Sequence, residues 1–370
     1  MRIIVLGGLA HSLLNFRGPL LKTLVERGHE VIACAPDAPP KLRAALADFG
    51  VRYRHITLAR AGRNPWADLR TYLALRCLFR EVRPDLVLAY TVKPVIYSGL
   101  VGRSVPDVRI FAMIEGLGYA FGALGWRQWT IGYMVRRLYR IALKSSSGVF
   151  FLNPDDRELF LNLGMLPNGV ETTLLNGIGV DLDWYQPCDL PNEPVFLLIA
   201  RLLADKGLRE FHRAARRLKG RYPRARFLLA GDLDPNPMSI SAAELASWQA
   251  DGTLEYLGQL DDVRPAFAAA RVYVLPSYRE GTPRTVLEAM AMGRPIVTTD
   301  APGCRETVVD GVNGFLVPVR DDMALERAME RFILEPELAG RMGAESLQLA
   351  REKYDVHKVN EVILSAMGLD

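Results

Sequence analysis

Cysteine is scarce in this 370-residue chain. Its four cysteines, Cys34, Cys77, Cys188 and Cys304, lie far apart in neither paired nor metal-ligand spacing. That excludes a disulfide scaffold and predicts buried structural thiols in a reducing compartment. Long apolar runs are missing too, so no segment is expected to span a bilayer. The chain opens on "MRIIVLGGLA", without the long apolar region and small-residue cleavage site of a secretory signal, and a cytoplasmic protein is expected. Histidine is limited to five residues, and no metal-binding cluster is visible. A dinucleotide fingerprint is absent as well. Gly7 and Gly8 follow the first strand-like run, but not as G-x-G-x-x-G, and the second runs out as "CAPDAPP" with no acidic residue at its end. This argues against a nicotinamide oxidoreductase. No RNA-type stacking motif occurs, and no nucleic-acid partner is expected.

Charge is present but uneven. Residues 1–180 hold 23 Lys+Arg against 13 Asp+Glu, a surplus of +10, whereas residues 181–370 hold 23 against 29, or −6. A basic first half suits an anionic partner on that side: a phosphorylated substrate, an anionic lipid or a nucleic acid.

Short apolar runs alternate with helical patterns. "RIIVLGG", "EVIACAP", "DLVLAY" and "RIFAMI" read as strands, with helices over "FRGPLLKTLVERG", "PKLRAALADFG" and "DLRTYLALRCLFREV" between them. Near-continuous Val/Ile/Leu strands separated by helices indicate a buried parallel sheet of the doubly wound type. The pattern restarts after residue 180 with "VFLLIARL", "RFLLAGD", "LEYLGQL", "VYVLPS", "PIVTTD" and "GFLVPV". The expected architecture is α/β, with two Rossmann-like domains over 1–180 and 181–350 facing a central cleft. A C-terminal helix over 351–370 is expected to cross back to the first domain. "LLNGIGVDLDWYQP", rich in Gly, Asn and Asp, reads as the connection between the two domains.

Several polar groups follow strand ends, where doubly wound sheets bind ligands. Arg201 follows "VFLLIA", and Lys206 comes five residues later, so the two form a candidate anion clamp. In "SYREGTPRTVLEAM", Thr282 reads as an N-cap and Pro283 as the first helical residue, with Val286, Leu287, Ala289 and Met290 on the packed face. Glu280 then lies just outside the helix and Glu288 inside it. The amino end between them suits an anion.

Arg201-x4-Lys206 followed by Glu280-x7-Glu288 resembles the signature of glycosyltransferase family 4, retaining enzymes of the GT-B fold. "NGIGVD" and "GCRETVVDGVNGFLVP" are similar to that family's linker and to a strand–loop segment of its second domain. The resemblance covers almost the whole chain and implies catalysis without cofactor or metal. It implies that Arg201 and Lys206 grip the diphosphate of a UDP-sugar and stabilise it as a leaving group. By the same resemblance Glu280 orients the donor sugar and Glu288 accepts from the ribose. The backbone N–H groups of Arg284 and Thr285 would meet the distal phosphate, and Gly281, Thr282, Gly7 and Gly8 are further donor-binding candidates. Two departures stand out. Thr282-Pro283 replaces an aromatic residue and a glycine of the commoner form. The family's first-domain histidine is missing from "IEGLGYAF", where Glu115, Gly116 and Gly118 are the candidate substitutes; His11 and Arg17 are further candidates on the acceptor or sugar side.

"GWRQWTIGYMVRRLYRIALK" sets Trp126, Trp129, Tyr133 and Tyr139 among Arg127, Arg136, Arg137, Arg140 and Lys144. This composition suits a helix resting on anionic headgroups, and equally a core-facing helix with a solvated basic face. The overall pattern is similar to bacterial transferases that extend a saccharide on undecaprenyl diphosphate, including those that add N-acetylgalactosamine to a bacillosamine-type sugar. That resemblance implies a polyprenyl-diphosphate-linked saccharide acceptor and peripheral attachment at the inner face of the cytoplasmic membrane. Two other classes share parts of the pattern. One is a UDP-N-acetylglucosamine 2-epimerase-like isomerase, and the other a non-catalytic sugar-nucleotide-binding protein.

Overall fold

A computed structural model of the chain describes all residues except 59–64, 106, 117–125, 235 and 237; the side chains of 126–131 also lie outside the description. It divides into two compact units, residues 1–175 with 359–370, and residues 176–358.

In the first unit β1 (Arg2–Leu6), α1 (Ala10–Asn15), α2 (Gly18–Glu26), β2 (Glu30–Ala35), α3 (Pro40–Asp48) and β3 (Arg52–His55) come first. They are followed by α4 (Pro65–Val82), β4 (Leu86–Tyr90), α5 (Val92–Gly102) and β5 (Arg109–Ile114), and then by α6 (Trp126–Leu143), β6 (Gly148–Phe151), α7 (Pro154–Asn162) and β7 (Thr172–Leu174). The sheet runs β3-β2-β1-β4-β5-β6-β7, with every pairing parallel. Ile3, Ile4, Val5 and Leu6 are all fully buried, as a strand covered by helices on both faces requires. The helix expected over 16–28 begins instead at Gly18, after the separate α1. Pro19 occupies its first turn, where no backbone N–H is needed.

The second unit repeats the plan with β8 (Val195–Ile199), α8 (Leu208–Arg221), β9 (Arg226–Ala230), α9 (Ala242–Ala250), β10 (Glu255–Tyr256) and α10 (Arg264–Ala269). It continues through β11 (Val272–Leu275), α11 (Arg284–Ala291), β12 (Ile296–Thr299), β13 (Gly314–Val317), α12 (Asp322–Leu334) and α13 (Glu337–Lys353). The last helix, α14 (Val356–Ala366), carries the chain into the first unit's C-terminal segment. There Arg27 donates to the Leu369 carbonyl at 2.6 Å and to Glu361 at 2.7 Å. The second sheet runs β10-β9-β8-β11-β12-β13, again all parallel.

Both sheets reverse their strand order beside the first strand, between β1 and β4 and between β8 and β11. Crossovers leave in opposite directions from these points, so a crevice opens at the carboxyl ends of the two strands. The cysteines divide. Cys34 and Cys304 are buried, and burial pushes both thiols up to about 12. Cys77 and Cys188 are exposed, which corrects the expectation that all four are buried. Cys77 lies on a helix and Cys188 in the connection before β8, so neither is forced into a sheet core.

Candidate active site

Lys206 and Glu280 are 74 positions apart, yet Lys206 Nζ donates to Glu280 Oε1 at 2.5 Å. The order β8-β11 accounts for this. Lys206 ends a short turn after β8, Glu280 follows β11, and the two strands are neighbours at the reversal. Ser277 Oγ donates to the same oxygen at 2.6 Å, and the Glu280 N–H donates to the Pro302 carbonyl at 2.9 Å. Burial pulls the Lys206 ammonium down, but the Glu280 carboxylate outweighs it, leaving the amine above its ordinary value and charged at neutral pH. Arg201, the other cation of the expected clamp, is half exposed and pairs with Asp234 at 2.9 Å.

The helix that was expected to open at Pro283 begins one residue later, at Arg284. Pro283 takes the cap position with extended backbone (φ −73°, ψ 109°), and its carbonyl accepts from Val286 N–H at 3.0 Å. Thr282 therefore stands one residue outside the cap. A proline with ψ near 109° cannot itself continue into a helical turn, which is why the start shifts. Thr285, in the first turn, contacts the buried Tyr273 hydroxyl at 2.6 Å; that hydroxyl lies 3.0 Å from the Ile199 carbonyl at the end of β8. The amino end of α11 is thereby tied to the end of β8, which Arg201 follows.

Glu288 is almost completely buried, at 5% exposure. Arg284, one turn earlier, lies 2.7 Å from its Oε1, and the Tyr185 hydroxyl donates to the same atom at 2.8 Å. Burial pushes the Glu288 carboxyl above the ordinary range, and Arg284 pulls the other way without cancelling it. Sequence reasoning missed Tyr185, which sits in the connecting segment with nothing local to mark it. Ser277, three residues before Glu280, was inside the motif and was passed over.

In the first unit, Gly7 and Gly8 follow β1 at the strand-order reversal. A β-carbon at Gly7 would stand 2.3 Å from the Tyr90 hydroxyl, so no larger residue fits there. Tyr90 ends β4, and Ser12 Oγ lies 2.8 Å from its hydroxyl. Arg17 is 1% exposed; its guanidinium lies 4.9 Å over the Tyr90 ring, donates to Met113 Sδ at 2.7 Å and pairs with Glu115. Glu115 directly follows β5. Burial raises its carboxyl above the ordinary range, and Arg17 opposes that rise. Alternation along β5 puts Met113 and Glu115 on one face, which is why one guanidinium reaches both. Gly116 has φ 141°. His11 is exposed on α1. Gly118 lies outside the described residues.

On α6, Tyr133 and Met134 are exposed, at 49% and 62%. Tyr139 follows the core-facing of the two readings that the sequence left open for this helix. It is 2% exposed and packs edge-on against Phe160 at 5.1 Å, because its position turns it toward the sheet. The side chains of Trp126, Arg127 and Trp129 lie outside the described residues. Among the described residues, no helix is long and apolar enough to cross a membrane.

Residues 18–178 match the model of Glycosyltransferase Family 4, and residues 193–335 match that of Glycosyl transferases group 1. The N,N'-diacetylbacillosaminyl-diphospho-undecaprenol alpha-1,3-N-acetylgalactosaminyltransferase of Campylobacter jejuni is 28% identical, over 96% of this chain and 95% of its own. The putative glycosyltransferase EpsD of Bacillus subtilis is 25% identical over 94% and 91%. Among solved structures, sucrose-phosphate synthase of Thermosynechococcus elongatus superposes with a TM-score of 0.80 at 18% identity, covering 100% of this chain and 98% of that one. Anabaena HepE in complex with UDP superposes with a TM-score of 0.78 at 18% identity, covering 100% of both. These structures share the GT-B fold.

Proposed function

This chain belongs to the glycosyltransferases of the GT-B type, joining a family 4 domain to a group 1 domain, and from that premise we propose the transfer it performs. It moves an N-acetylhexosamine from a UDP-sugar to a polyprenyl-diphosphate-linked saccharide, with retention and without a metal. The observation that carries the donor half is the Lys206–Glu280 pair at 2.5 Å, set at the second sheet's reversal point. The UDP complex of HepE supports the nucleotide, and the activity named for the Campylobacter relative supports the sugar and the acceptor.

In this reading the acceptor hydroxyl bonds to C1 on the face that the diphosphate leaves. The C1–O bond to UDP breaks, and a phosphate oxygen of the departing UDP takes the hydroxyl proton. Negative charge gathers on the diphosphate, where Lys206 and Arg201 stabilise it more strongly than in the ground state. The amino end of α11, with Gly281, Thr282, Arg284 and Thr285, receives the distal phosphate. Glu280 orients donor hydroxyls, and Glu288 accepts from the ribose while Tyr185 fixes its Oε1. In the first unit Gly7 and Gly8 are the donor-side candidates, and Arg17, Glu115, Gly116 and His11 serve the sugar or acceptor side. Calorimetry should find UDP binding; binding of GDP or ADP with none of UDP would overturn the donor. Turnover should survive EDTA, and loss restored by Mg²⁺ or Mn²⁺ would overturn metal independence.

Peripheral attachment at the inner membrane face is supported by the exposed residues of two helices. Tyr133, Met134, Arg137 and Arg140 are exposed on α6. Trp66, Leu69 and Leu73 are exposed at helical spacing on α4. Vesicles containing anionic lipid should bind the protein and release it as salt rises, because the Debye length falls from about 10 Å at 0.1 M to about 3 Å at 1 M. Replacing Arg136, Arg137 and Arg140 with Glu should weaken vesicle binding and leave UDP affinity intact. Binding indifferent to both salt and the triple reversal would show these faces to be solvated surface only.

A further inference from the structure

Thr91 directly follows β4, the strand paired with β1 at the first sheet's reversal. Its backbone has φ 67° and ψ 161°, a region that a β-branched residue strongly disfavours. It also stands at the N-cap of the 11-residue α5, where a threonine hydroxyl ordinarily accepts from the helix's first-turn N–H groups. Here the side chain makes no cap hydrogen bond. Its Oγ1 is buried with no hydrogen-bond partner. That oxygen lies 2.8 Å from where a β-carbon on Gly8 would sit, so it packs against the glycine and occupies the place of the missing side chain. Thr91 therefore combines an unfavourable backbone with a buried, unsatisfied hydroxyl. Glycine would relieve the first and valine the second. Neither packing nor capping explains a threonine at this position.

We infer that Thr91 is a substrate-binding residue of the first unit, its hydroxyl donating to a phosphoryl oxygen of the substrate bound over Gly7 and Gly8. A phosphoryl oxygen is favoured over a sugar hydroxyl for two reasons. The first is the partial positive charge at the amino end of α5. The surplus of +10 over residues 1–180 acts in the same direction. The UDP-sugar and the lipid-linked acceptor both carry a diphosphate, and the test below separates them. The inference rests on the transferase reading above.

The test compares wild type with Thr91→Val, Thr91→Gly and Thr91→Ser. It measures melting temperature, UDP affinity, and kcat/KM with each substrate varied in turn. Thr91→Val and Thr91→Gly should melt at or above wild type and yet lose about tenfold or more in kcat/KM, the size expected for a hydrogen bond to a charged group. Thr91→Ser should keep most of the activity. Weakened UDP affinity identifies the donor's phosphate as the partner; unchanged UDP affinity with a raised acceptor KM identifies the acceptor's. A Thr91→Val protein with wild-type kinetics for both substrates overturns the inference and leaves the transferase reading standing. So does a Thr91→Val protein whose lost activity goes with lowered melting and partial unfolding, because that is a packing role. A wild type that turns over no nucleotide sugar overturns the transferase reading itself, and the inference with it.

Discussion

Lys206→Ala should lower kcat by about 10²-fold or more, with a smaller effect on UDP-sugar binding. The ammonium is held 2.5 Å from Glu280, with only 13% of its side chain exposed, so it is positioned before any ligand arrives and needs little reorganisation. In the proposed transfer its effect grows as charge builds on the leaving diphosphate, which places the loss in kcat. Glu288→Ala should behave differently, mainly weakening nucleotide affinity, because a ribose contact is as strong in the ground state as in the transition state. Steady-state kinetics with UDP titrations on both variants decides this. Interchangeable defects in the two would remove the separate roles. A melting curve for Lys206→Ala is a necessary control, since Glu280, at 17% side-chain exposure, loses its nearest cation.

Arg17→Met should destabilise the first unit by about 3 kcal/mol. The variant leaves Glu115 beneath the surface without its counter-charge and removes the cation over the Tyr90 ring. Glu115 keeps 19% of its side chain exposed, and water there holds the cost near the lower end of the range for broken buried pairs. For a unit of this size, that lowers the melting temperature by roughly 6–12 °C. The pH dependence has a definite sign. The folded Glu115 pKa is raised above its unfolded value, so the folded state holds the extra proton, and stability falls as pH climbs from the unfolded pKa through the folded one. Removing Arg17 raises that pKa further. The deficit against wild type should therefore be small in acid and grow toward neutral pH. Arg17→Met combined with Glu115→Met should recover most of the stability, because an apolar pair leaves no buried charge unpaired. A deficit that is flat with pH, or unrepaired in the double variant, would show that packing rather than charge holds this corner.

Much of the fold was legible along the chain. Strands such as β1 and β8 are short, continuous Val/Ile/Leu runs that only a sheet covered on both faces can bury, and they alternate with helical segments. Exposed edge pieces were not. The strand β3, Arg52–His55, carries no apolar run because it lies at the sheet's border, and only its backbone pairing with β2 makes it a strand. The start of α11 was misplaced by one residue, since the choice between Thr282 and Pro283 as cap depends on a ψ angle that residue type leaves open.

For the candidate site, spacing alone settled what lies close in the chain. Glu288 and Arg284 are four apart on one helix and meet for that reason, and Glu280 precedes that helix because proline marks its beginning. The residue types suited to an anion, and the positions at strand ends where they stand, were likewise written in the chain. Contacts between distant segments depended on the sheets. Lys206 meets Glu280 because β8 and β11 are neighbours, and Tyr185 reaches Glu288 across 103 positions. Arg17 became a buried partner of Glu115, where the sequence offered it only as an acceptor- or sugar-side candidate near the start of an expected helix. Thr91 gave no sign in composition or motif, because a positive φ and an unsatisfied hydroxyl exist only once β4, Gly8 and α5 are packed around it. Local periodicity encodes which face of an element is apolar. Strand order, set by the crossovers and the burial of both sheet faces, decides which loops converge.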